Sequence, residues 1–75
     1  MKELWFAQFM NGGKFYMRIF NVETNTIRSS KIIRPLRAYY DACTQCYALN
    51  ALMGWKPNEI LKYADQITVS IQKEL

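Results

Sequence analysis

The sequence predicts a small α+β domain: a three-stranded antiparallel sheet followed by two helices packed on one face (βββαα). Three observations carry that expectation. Aromatic and β-branched residues dominate short runs up to residue 34, and turn residues separate those runs. Pro35 then closes the strand pattern, because it cannot donate to a ladder. From Leu36 onward apolar residues recur at steps of three and four, the period of an amphipathic helix. Seventy-five residues make one domain, 1–75.

The first strand is predicted over residues 3–10, Glu-Leu-Trp-Phe-Ala-Gln-Phe-Met. Asn11-Gly12-Gly13 follows and supplies the positive φ that a tight hairpin turn demands. Residues 14–22 form the returning strand. A two-residue turn sets even positions of the first strand on the same face as odd positions of the second. One face then holds Leu4, Phe6, Gln8, Met10, Phe15, Met17 and Ile19, and is expected to meet the core. The other holds Trp5, Ala7, Phe9, Tyr16, Arg18 and Phe20 and is expected to be partly exposed. Glu23-Thr24-Asn25-Thr26 is a polar turn, and Ile27 to Arg34 reads as a third strand of open register.

Pro35 suits the first position of a helix whose inner stripe runs through Leu36, Tyr39, Tyr40, Cys43, Cys46, Tyr47, Leu49, Asn50 and Met53. Gly54 is a natural left-handed stop. Pro57 opens the second helix, with Glu59 placed to favour its positive end. Ile60, Ala64, Ile67, Ile71 and Leu75 give that helix its apolar stripe, against the mild β-propensity of Ile67-Thr68-Val69.

Charge is distributed unevenly along this frame. All four arginines lie between residues 18 and 37. From Lys14 to Arg37 six basic residues face only Glu23, a local charge of +5. From Ala38 onward three lysines are set against four acids. A cationic half joined to a near-neutral half attracts anions.

Catalytic chemistry is not predicted. The chain has no histidine, its six acids are scattered, and Gly12-Gly13 lacks the strand-to-helix context of a phosphate loop. Cys43 and Cys46 form a Cys-x-x-Cys pair inside a helix. Zinc would need two more ligands, so the pair reads as small apolar residues of the inner stripe, with no metal and no cofactor expected. Two cysteines are too few for a disulfide scaffold, and no signal-like apolar run follows Met1-Lys2-Glu3. A cytoplasmic setting without a membrane is the expectation.

The candidate binding residues are Lys14, Tyr16, Arg18, Arg28, Lys31, Arg34 and Arg37. Exposed aromatics beside arginines on a sheet can stack bases and neutralise phosphates, which predicts a non-catalytic module contacting nucleic acid or a nucleoprotein complex. The rival reading uses the same residues as anchors against a host protein, because aromatic and arginine side chains dominate interface hot spots. The chain would then be a small phage-type inhibitor, of viral or mobile-element origin, acting on a host or defence complex by protein–protein binding. A homodimer fits either reading.

Overall fold

A computed structural model describes the backbone of residues 2–10, 14–33 and 36–74, and the side chains of all of these but 10, 14, 30–33 and 36–39. Three strands, β1 (Glu3–Met10), β2 (Lys14–Asn21) and β3 (Thr26–Ile33), form one antiparallel sheet in the order β1-β2-β3. Three helices follow: α1 (Leu36–Leu52), α2 (Pro57–Leu61) and α3 (Ala64–Lys73). The class and the order of elements are those the sequence predicts. Where one second helix was expected, the chain breaks at Lys62 and Tyr63, whose N–H groups reach back only three residues, to Glu59 and Ile60. That tighter turn seats the Tyr63 ring edge-on against Trp55, with ring centres 5.7 Å apart.

The face assignment of the hairpin needs correction. Met10 pairs with Lys14 and Trp5 with Ile19, leaving three residues in the connection and not two. One extra residue inverts the parity of the returning strand. Odd positions of both strands therefore share one face, and even positions share the other. The predicted turn at Asn11-Gly12-Gly13 itself lies outside the described residues.

Both faces are then apolar enough to need a cover, and the helices divide between them instead of sharing one. On the odd face Phe15 and Met17, with Trp5 and Ala7 beside them, pack against Ala42, Cys46 and Leu49 of α1. On the even face Leu4 and Phe20, flanked by Phe6 and Ile27, pack under Trp55, Ile60, Tyr63 and Ile67. The sheet is the middle of three layers.

The chain changes faces by passing around the β1 edge, and polar groups fasten the crossing. Asn50 is buried; its amide accepts from the Trp5 N–H at 2.7 Å and donates to the Trp5 carbonyl at 2.9 Å. It thus stands in for a neighbouring strand. Gly54, at φ 91°, ends α1, with Trp55 N–H returning to the Asn50 carbonyl and Gly54 N–H to that of Ala51. Trp55 then turns its indole under the sheet and donates to the Glu3 carbonyl at 2.7 Å. Glu59 accepts from the Lys56 N–H at the start of α2, the reciprocal half of a capping box. In α3 the Thr68 hydroxyl donates to the Ala64 carbonyl one turn back, which accommodates its polar group within the helix.

Candidate functional site

Arg18 departs most from its expected place. The corrected register puts it on the even face beneath the end of α3, where it is only 5% exposed. Its guanidinium grips both carboxylate oxygens of Glu74, at 2.7 and 2.8 Å, and also donates to Gln8 Oε1 and Ser29 Oγ. Those hydrogen bonds pull the Glu74 carboxyl below its ordinary value, against the opposing effect of partial burial. With four of its five N–H donors used inside the fold and its side chain buried, Arg18 is not an open contact residue. Phe20 likewise belongs to the core and Trp5 to its margin, so neither offers a stacking platform.

Arg28 lies where a partner can reach it. Its side chain on β3 is 62% exposed and makes one loose contact, 3.4 Å, to Glu3. Tyr16 is half-buried on β2. Lys14, Lys31 and Arg37 are placed by backbone alone: Lys14 opposite Met10, Lys31 opposite Met17 on β3, and Arg37 in the first turn of α1. Arg34 lies outside the described residues. The structure thus brings Arg28 and Lys31 together on one strand, and separates Arg18 from them.

The cysteines part company as well. Cys46 is in the core, and burial, with Cys43 nearby, pushes its thiol up to about 11. Cys43 is exposed, on the flank of α1 that also carries the exposed Tyr40 and Tyr47. Both tyrosines had been expected inside. Among the described residues no group of three His, Cys, Asp or Glu side chains is placed to hold a metal, and no helix is long and apolar enough to cross a membrane.

The two edges of the sheet differ. On β1, Asn50 occupies both outward groups of Trp5, and Trp55 takes the outward carbonyl of Glu3. Because Trp5 faces outward, Ile19 opposite it faces β3, and antiparallel alternation makes Ile19 and Arg28 a hydrogen-bonded pair. The main-chain groups of Ile27 and Ser29 on either side of Arg28 then point away from the sheet. Among the described residues none of these outward groups has a partner. Beside the start of β3 runs a groove of about 230 Å³, lined by Asn25 and by Asp65, Gln66, Val69, Ser70 and Lys73 along one stripe of α3. The Ser70 hydroxyl ties that stripe to the Asn25 carbonyl at 3.1 Å.

Sequence reasoning had no means of finding Glu74, Asn50 or the groove as a set, since each depends on residues at least 45 positions apart. An arginine inside an aromatic strand and an asparagine on an apolar helix stripe were the available signals. No family model, curated protein or solved structure matches the chain.

Proposed function

We propose that this protein is a small non-catalytic binding module that docks an anionic surface of a partner protein through its cationic β3 side. The observation that carries this reading is the coincidence of the open sheet edge with the strand that holds Arg28 and Lys31. Burial of Phe20 and internal use of Arg18 weigh against a sheet face that stacks bases, and so favour a protein partner over nucleic acid. A module of this size acts by occupying a surface, as a stoichiometric inhibitor of a larger complex does.

Nucleic acid is the second reading, favoured by the local charge of +5 between Lys14 and Arg37. Phosphate contacts would make affinity fall steeply with salt, by a slope of about one per contact in log–log form. The deciding experiment is capture of partners by the purified protein from cell lysate, with and without nuclease. Replacing Arg28, Lys31 and Arg34 by glutamate should abolish capture, and nuclease should leave it intact. Loss of capture on nuclease treatment, with steep salt-dependent binding to a purified oligonucleotide, would replace the protein reading with the nucleic-acid one.

A further inference from the structure

We infer that β3 is a strand-addition site: it takes an extended acidic segment of the partner protein as a fourth strand, with an apolar side chain of that segment seated in the groove against α3. The inference rests on the protein-binding reading above and names the form the partner takes.

The edge supplies the affinity. Ile27 and Ser29 present two outward N–H donors and two outward carbonyl acceptors, the alternate set that an added strand pairs with. The β1 edge lacks this at its Glu3–Trp5 end, where Asn50 and Trp55 fill the same kind of position. The bulge where Met17 and Arg18 of β2 meet β3 ends the regular stretch. The docked segment is therefore short, centred on Ile27 and Ser29.

Side-chain alternation supplies the pattern. The incoming residue beside Ile27 shares its face, which is the α3 face, and so enters the groove next to Val69 and Ser70. Val69 is half-exposed there, and the groove volume accepts one or two aliphatic side chains. The incoming residues on either side point to the opposite face, where Arg28 stands largely in solvent. An acid at those positions would take over from Glu3, whose 3.4 Å contact is a weak competitor. The fitting segment reads acid, apolar, acid.

Charge also argues against a second copy of this chain. Pairing β3 with β3 would bring Arg28 and Lys31 of each copy together, the like-charge arrangement by which edge strands avoid self-association.

The test uses the full chain, isotope-labelled, and a blocked decapeptide of alternating glutamate and valine, followed by amide shifts and hydrogen exchange. The peptide should shift and protect the amides of Ile27 and Ser29. A strand bonds its neighbour through alternate residues only, so N-methylation of one alternate set should weaken binding at least about tenfold, while the other set is tolerated. Arg28→Glu and Val69→Asp should each weaken it by a similar factor, and a lysine-for-glutamate peptide should not bind. Equal binding of both N-methylated peptides would reduce the interaction to charge and overturn the inference. So would protection at Ala7 and Phe9 on β1, or a single-stranded decanucleotide producing the same shifts in place of the peptide. No peptide binding alongside lysate capture that depends on Arg28, Lys31 and Arg34 would remove strand addition and leave the partner-binding reading. Loss of both would remove both.

Discussion

Arg18 carries a permanent charge into the interior, where an unpaired ion costs several kcal/mol. Glu74 is its only carboxylate partner among the described residues, and the pair closes the end of α3 onto the sheet. Glu74→Gln should therefore destabilise the fold by about 1.5–3 kcal/mol, the range for a hydrogen bond to a charged group, as read by chemical denaturation. Replacing the pair together, Arg18→Met with Glu74→Leu, should recover most of that loss, since apolar packing can substitute for a buried ion pair. The pH dependence follows from the lowered Glu74 carboxyl. Its contribution is complete above the unfolded value of 4.5 and fades as pH falls through the lower folded value. Wild-type stability should thus drop on acidification below about 4.5, and the Glu74→Gln variant should show a shallower drop there. The two cysteines give a second test at this scale. Cys43 is exposed while Cys46 is buried with its thiol raised to about 11, so iodoacetamide at neutral pH should label Cys43 alone until the protein unfolds. Equal labelling of both in the native state would contradict the placement of Cys46 in the core.

At the scale of elements, the α1–α2 connection holds two layers to one sheet edge. Asn50→Leu keeps the branched heavy-atom shape and removes both hydrogen bonds to Trp5, leaving a main-chain donor and acceptor unpaired. The expected cost is about 2 kcal/mol, checked by thermal or urea unfolding. The variant should also self-associate in a concentration-dependent way, because its β1 edge is then open to pairing. A variant that is destabilised yet strictly monomeric would show that Trp55 alone guards that edge. Gly54 bears on the same joint. At φ 91° an alanine is strained, and Gly54→Ala should cost about 1–2 kcal/mol without altering the edge.

For the whole molecule, the question is which cations work outward. Arg28→Gln with Lys31→Gln should weaken partner capture, and the Arg28 change should alter thermal stability little, since its side chain is exposed and such charges contribute below about 1 kcal/mol. The matched change of Lys56, Lys62 and Lys73, from the near-neutral half, should leave capture unaltered. Equal losses from the two sets would mean that diffuse net charge governs association. Adding Arg18→Gln should lower stability and leave the remaining capture unchanged, because its donors face Glu74, Gln8 and Ser29.

Local chemistry determined much of this protein on its own. Strand propensity, Gly54 and Pro57 act within a few positions of themselves, so the element order and the helix stop were legible from the chain, while the Pro35 expectation lies outside the described residues. The concentration of cations between Lys14 and Arg37 was legible for the same reason. Tertiary structure decided that Arg28 stays in contact with solvent and that Arg18 does not. One residue in the β1–β2 connection set the parity of β2, and that parity sent Arg18 inward, toward a glutamate 56 positions away. Covering both faces of the sheet drew Cys46 inside and left Cys43, Tyr40 and Tyr47 outside, although all four share helical spacing. Periodicity defines a stripe on a helix; the rotation of that helix against the sheet decides which flank of the stripe is buried.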